Sequence, residues 1–409
     1  METLIHEELS IDKRKWTPIK FGDVVFEPKE STKDPIAEGI EHVVGLEHIE
    51  SENIHLKNYA TLEESTTFTK RFSEGDVLFG RRRAYLKKAV QASFSGICSG
   101  DITVFRAKEN LMPELLPFVV QNEKFFDYAI KHSAGGLSPR VKFKDLANYE
   151  FLLPPKEQQA QLAKLFWAMD EVIEKEKDVL EKAENAKYQL CLKSFFNGKK
   201  VNRVDAIPLP NSDWKLVPLR SAVPNIEYGI SISIPGNQDR RGIPILSTAE
   251  IDREGNLNYS IIRQIKYGKM NERVTLKSGD VLFNWRNTAE LIGKTAIFYQ
   301  PKNDLRDYTF ASFLLRMRCD EIVMNNVFLM QLMNFYRINE IFLGLARKAV
   351  NQANFNKNEI GDLLIPLPPY KEQIAIVNEL NTIENSKSQL KLKIISSYAL
   401  QKSLINQIF

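Results

Sequence analysis

The stretch LIPLPPYKEQIAIVNEL, Leu364 to Leu380, decides how this chain is read, because it occurs twice. Its partner is FLLPPKEQQAQLAKLF, Phe151 to Phe166. Other blocks repeat in the same order. KWTPIKFGDVV (Lys15 to Val25) is echoed by DWKLVPLRSAV (Asp213 to Val223). SEGDVLFGRRRAYLKKAV (Ser73 to Val90) is echoed by LKSGDVLFNWRNTAELIGKTAIF (Leu276 to Phe298). The copies lie roughly 200 residues apart, too far for a solenoid period. The chain reads as a duplicated two-part unit, a mixed domain followed by a segment that opens on Pro-Pro.

Each Pro-Pro leads into a helical segment. Lys156 to Asn197 contains no Pro or Gly, and Leu162, Leu165, Met169, Val172, Val179, Ala183, Ala186 and Leu190 recur at spacings of three and four. A stripe this long predicts a coiled-coil seam. Asn197-Gly198 supplies a helix stop before the linker KKVNRVDAIPLPNSD. The second helix is predicted from about Tyr370 onward, with Leu380, Ile383, Leu390, Ile394, Ser397, Leu404 and Ile408 on its seam. Neither stripe can be buried by its own helix, so the two are expected to pack together. The alternative is that each packs on its own domain.

Pro368-Pro369-Tyr370 also resembles the Pro-Pro-aromatic loop with which amino-methyltransferases hold a target base. The resemblance fails on three counts. Leu367 stands where that loop needs an Asp, Asn or Ser, the first copy has Lys156 in place of an aromatic, and no Gly-rich cofactor loop accompanies it. The prolines read as a strand-to-helix joint, since Pro suits a first helical turn and forbids helix just before it. Glu157 and Glu372 would then sit at the positive end of a helix dipole. Aligned on Lys-Glu, the first joint is one residue shorter than the second.

At 409 residues the chain exceeds the roughly 250–300 at which single cores stop growing, so two or more domains are expected. Its 56 Lys and Arg against 52 Asp and Glu leave a net charge of +4, which permits nucleic-acid binding without arguing for it. Cys98, Cys191 and Cys319 are odd in number and dispersed, which fits a reducing cytoplasm. METLIHEELSIDKRK is too polar for a signal peptide, and no run of about 18 apolar residues suggests a membrane span.

Chemistry concentrates after Gly-Asp-Val-Leu-Phe. In the first copy a turn and a strand deliver Arg81, Arg82 and Arg83, then Tyr85 and Lys87. In the second they deliver Asn284, Trp285, Arg286 and Asn287, then Lys294. Guanidinium groups grip phosphate or guanine, and Asn can read adenine. Different polar residues at one framework position, twice, favour recognition over a solvated loop. A second pair of basic loops precedes each Pro-Pro. One carries Arg140, Lys142 and Lys144; the other carries Arg347, Lys348, Asn351, Gln352 and Asn354. Each follows a predicted helix, Pro113 to His132 or Asn325 to Leu345, and each could be a plain connection. Reaction motifs are missing. Gly293-Lys294-Thr295 lacks the first P-loop glycine, and His42, His48 and His55 have no metal spacing.

Taken together, GDVLFGRRR with GDVLFNWR, and LLPPKEQQAQLAKLF with PLPPYKEQIAIVNEL, resemble the DNA specificity subunit of type I restriction-modification systems over almost the whole chain. The resemblance implies a mixed α/β (α+β) fold. Two similar target-recognition domains, 1–153 and 201–367, are separated by a long antiparallel two-helix coiled-coil spacer, 154–200 and 368–409, in a pseudo-two-fold internal repeat. It implies that the chain is non-catalytic and binds double-stranded DNA, each domain reading half of a bipartite target. It implies two modification subunits carrying S-adenosylmethionine, and restriction subunits using ATP and Mg, as partners in the cytoplasm. No cofactor is expected on this chain.

Overall fold

The computed structural model describes residues 12–62, 67–209, 213–232, 242–266, 272–345, 347–349 and 352–409, with the backbone alone for 347–349, 352 and 353. It divides into two compact units. The first takes the chain up to Asp178 together with Lys391–Phe409, and the second is Val179–Leu390. The division falls inside the two long helices, Lys156–Phe196 and Tyr370–Ile408. The physical reason is that the helix ends belong to the cores. Leu162, Phe166, Leu404 and Ile408 are buried with Phe21, Phe105 and Phe125 in the first unit. Phe195, Phe196, Val377 and Leu380 are buried with Phe283, Phe328 and Phe335 in the second.

Each unit is built on the same four-stranded antiparallel sheet. In the first the order is Val25–Phe26, Ile102–Ala107, Val77–Gly80, Ala89–Gln91. In the second it is Asn225–Tyr228, Leu314–Arg318, Val281–Asn284, Thr295–Ile297. Gly-Asp-Val-Leu-Phe is the scaffold of this sheet. Gly75 and Gly279 adopt φ of +86° and +95°, which a side chain would strain. Asp76 accepts from the Ser73 amide at 2.8 Å, and Asp280 does the same from the Lys277 amide. Each carboxylate is also held bidentately, Asp76 by Arg106 and Asp280 by Arg318, on the neighbouring strand. Val-Leu-Phe then runs through the centre of the sheet, wholly buried. A smaller three-stranded sheet differs between the copies. Its parallel pair recurs, Val43–Val44 with Gly96–Cys98 and Ile243–Leu246 with Thr309–Phe310. The third strand joins Gly96–Cys98 in the first unit but Ile243–Leu246 in the second.

The Pro-Pro joints are superimposable in sequence without a gap. Gln159 accepts from the Met112 amide at 2.9 Å and donates to the carbonyls of Asn110 and Pro154. Gln373 accepts from the Asn325 amide at 2.8 Å and donates to the carbonyls of Val323 and Pro368. Both glutamines are buried. The indole of Trp16 donates to Gln158, and that of Trp214 to Glu372. Lys156 therefore corresponds to Tyr370, and the expected one-residue deficit in the first joint is corrected. The shared Lys-Glu pair had suggested a register that the hydrogen bonds do not keep.

Two further differences from expectation have local causes. The helix expected over Pro113 to His132 is two, Leu116–Gln121 and Glu123–Lys131, because the Asn122 side chain accepts from the Phe125 amide and starts a new one. Likewise Asn326–Ile338 and Ile341–Leu345 are separate, with Glu340 at φ +60° between them. The seam of the first long helix is displaced from the apolar stripe. Leu165, Val172 and Val179 are exposed, whereas Phe166, Asp170, Ile173 and Glu176 are buried. Asp170 meets His55 at 2.6 Å, and Glu176 meets Ser397 at 3.0 Å and Lys393 at 3.1 Å. Polar side chains with partners occupy seam positions that apolar counting leaves out.

Candidate nucleic-acid interface

Each unit joins its two candidate loops into one surface. In the first, strand Val77–Gly80 runs out into Arg81, Arg82 and Arg83. The Val141 amide donates to the Arg81 carbonyl at 3.1 Å, and the Arg83 amide to the Pro139 carbonyl at 2.8 Å, so Arg82 and Arg140 face each other across a β-bridge. In the second, Arg286–Asn287 pairs antiparallel with Gln352–Asn354, and the Phe355 amide donates to the Trp285 carbonyl at 3.0 Å. Loops some 60 residues apart in sequence thus form a single edge in both copies.

In the first unit this edge is cationic and braced. Asp101 accepts from Arg140 Nε at 2.6 Å and Nη2 at 3.3 Å, and from Arg82 Nη1 at 3.3 Å. Arg82 Nη2 also donates to Ser138 Oγ at 3.1 Å. The Arg140 hydrogen bond, with Arg82 behind it and burial opposing, holds the Asp101 carboxyl below the usual range. Arg83 is exposed in the left-handed region at φ +55°, and Lys87 at φ +49° closes the single turn Ala84–Leu86. That turn leaves Tyr85 53% exposed. Lys142 is exposed beside Arg140, at the start of helix Phe143–Leu146. Lys87 does not join this group. Its amine lies within 3.6 Å of both Glu52 and Glu123, carboxylates that Lys402 also engages.

In the second unit the edge is less charged. Trp285 is half-buried, its indole donating to the Ser312 carbonyl at 2.7 Å and packing edge-on against Tyr228. Arg286 lies over the Phe313 ring, 5.1 Å from its centroid. Asn287 is half-buried, and its side-chain oxygen accepts from the Thr288 amide. Two expected contacts are corrected here. Asn284 is fully buried, its amide donating to the Leu291 carbonyl, because it ends the central strand rather than starting the loop. Lys294 is buried and donates to the carbonyls of Thr248 and Ile251; burial pushes its amine below the usual range. Neither reaches the surface. Arg347, Lys348 and Gln352 lie on paired strands whose side chains are not described, and Asn351 lies outside the described residues.

Sequence reasoning missed Asp101, Ser138 and Phe313. An acidic residue opposite three arginines was a usable signal for Asp101. Phe313 carried none, since an aromatic beside a strand reads as core.

Residues 13–185 match the family described as the type I restriction modification DNA specificity domain. This stretch of the chain resembles a type I DNA specificity domain. It contains the whole Arg82, Arg140 and Asp101 cluster, and the same framework recurs beyond it in the second unit. A putative type I restriction enzyme MjaX specificity subunit of Methanocaldococcus jannaschii is 26% identical over 54% of this chain and 51% of its own length. The type I restriction enzyme EcoDI specificity subunit of Escherichia coli is 26% identical over 46% of this chain and 44% of its own. The chain thus spans about half the length of these relatives. Two solved structures share the fold. One is a chain from work on complex assembly and conformational transition of the type I system, with TM-score 0.59, 21% identity and 96% of each chain covered. The other is the type I restriction-modification S subunit of M. genitalium, with TM-score 0.57, 11% identity and 98% and 97% covered. The chain therefore resembles type I specificity subunits in motifs and fold alike.

Proposed function

We propose that this chain is the DNA-recognition subunit of a type I restriction-modification complex, and that each recognition region, 1–153 and 201–367, reads one half of a split, asymmetric site. One observation carries the reading. The loop after Gly-Asp-Val-Leu-Phe and the loop before Pro-Pro pair into one edge in both units, on one framework but with different side chains. A constant scaffold with a variable edge is what a family of readers needs. In this reading the chain catalyses nothing and holds no cofactor. Two modification subunits bind S-adenosylmethionine and methylate adenine, and restriction subunits driven by ATP and Mg join them in the cytoplasm. Leu392, Ile395 and Leu400 stand exposed on the second long helix, as a partner helix would require.

The test is to map methylated adenines in cells with and without the chain. A bipartite motif that disappears with the chain supports the reading, and an unchanged methylome refutes it. The alternative, catalysis by the Pro-Pro-Tyr loop, has the Gln373 clamp against it, which ties the Pro368 carbonyl into the joint. Tyr370→Ala is expected to leave methylation by the reconstituted complex nearly intact.

A further inference from the structure

The strand registers put the two units in direct correspondence at the recognition edge. Val77 pairs with Phe105 and Gly80 with Ile102; Val281 pairs with Met317 and Asn284 with Leu314. The Arg81 amide donates to the Asp101 carbonyl at 3.0 Å, and the Trp285 amide to the Phe313 carbonyl at 3.3 Å. Asp101 and Phe313 therefore occupy one position, the residue before the sheet's long neighbouring strand. By the same registers Arg82 corresponds to Arg286, and Arg140 to Asn354.

The residues at these three positions differ together between the units. Asp101 carries a charge, and there the edge has two arginines. Phe313 carries none, and there it has one arginine and an asparagine. What differs is how the guanidinium is held. Asp101 grips Arg140 along its Nε and Nη2 edge, so that Arg140 Nη1 has no protein partner among the described residues, and it tethers Arg82 by Nη1. Phe313 instead supplies a ring face beneath Arg286. Each fixes a flexible side chain before DNA arrives, which lowers the entropy lost on binding. An arginine held in one plane can satisfy the two acceptors of guanine, whereas a loose one settles on any phosphate.

We infer that Asp101 and Phe313 are the positioning residues that set half-site specificity. Asp101 makes the Arg82 and Arg140 pair discriminate among bases, and Phe313 does so for Arg286. The inference rests on the reading of these loops as the DNA-contacting edge. It has an unusual consequence. Removing the Asp101 carboxylate adds one unit of positive charge to the edge, releases Arg140 and leaves Arg82 tethered only by Ser138. Affinity for unrelated DNA should therefore rise while discrimination falls.

The experiment uses the full chain reconstituted with its modification subunits, and duplex libraries randomised within each half-site. With Asp101→Asn, discrimination at one position of one half-site should drop between about 5- and 150-fold. Binding to unrelated duplex should tighten, with a salt dependence steeper by about one ion. The other half-site should be unchanged, and Asp101→Glu should restore part of the discrimination. Phe313→Leu should affect only the other half-site. A damaged loop would weaken binding to every sequence, so uniform weakening by Asp101→Asn overturns the inference, as does unaltered discrimination. Arg82→Ala with Arg140→Ala separates the two claims. If that double variant leaves both half-sites untouched, the edge does not contact DNA and both claims fall. If it abolishes discrimination at one half-site while Asp101→Asn does not, only the positioning role falls.

Discussion

Replacing Gln373 by alanine should be the most damaging single change at the second Pro-Pro joint. The side chain is fully buried and makes three hydrogen bonds, at 2.8, 2.8 and 3.0 Å. Its loss strands the Asn325 amide and removes one donor from each of two carbonyls. An orphaned buried donor costs about 1–3 kcal/mol, and each remaining bond contributes about 0.5–1.5. Partial hydration of the gap would recover some of this, so a net loss of about 2–4 kcal/mol is expected. For a unit of this size one kcal/mol moves the midpoint by about 2–4 °C, so the melting transition should fall by about 4–16 °C. Gln373→Glu should do no better at neutral pH, because a carboxylate cannot donate to either carbonyl. Differential scanning calorimetry can follow Gln159→Ala, Gln373→Ala and the exposed control Lys371→Ala. The control should stay within about 0.5 kcal/mol of the parent. The two glutamines share no partner, so their effects should add. If Gln373→Ala melts with the control, the joint is not what holds the helix start to its unit, and the reasoning is wrong.

Asp280→Asn should destabilise the second unit by about 2–4 kcal/mol by calorimetry, because it leaves the Arg318 guanidinium without its carboxylate, the pair being only partly screened by solvent; Asp76→Asn should act alike on the first unit. Burial pushes the thiols of Cys98, Cys191 and Cys319 up to about 12. A disulfide reagent at about pH 8 should therefore titrate none of them in the native chain and all three after unfolding. The Asp101 carboxyl is held below its ordinary value, so its ion pairs are present above that value and are lost only as pH falls through the lowered one. Discrimination at the first unit's half-site should be flat from about pH 8 to about pH 5, and a midpoint inside that window would contradict the assignment.

Much is legible in the sequence. The duplication, the two long helices and the turn-strand character of Gly-Asp-Val-Leu-Phe come from repeats, from Pro and Gly placement, and from apolar spacing. These are local or self-similar signals, and the helix Lys156–Phe196 ends where Asn197-Gly198 says it should. The burial of Asn284 and Lys294 is not legible. Both are polar residues beside a basic loop, and only strand register tells that one closes a strand and the other bonds inward. The seam of the first long helix misleads for a related reason. Asp170 and Glu176 are acceptable inside only because His55, Ser397 and Lys393 come to meet them from distant parts of the chain. A composition pattern records what a side chain is, not whether its partner arrives. The edge formed by the two paired loops is the clearest case. Arg82 and Arg140 lie 58 residues apart and become neighbours through a β-bridge, and Asp101 joins them through the sheet. Sequence determined that there are two such edges and which residue types they carry. Tertiary pairing alone decided which of those residues share a surface, because strand register acts across separations that local pattern does not span.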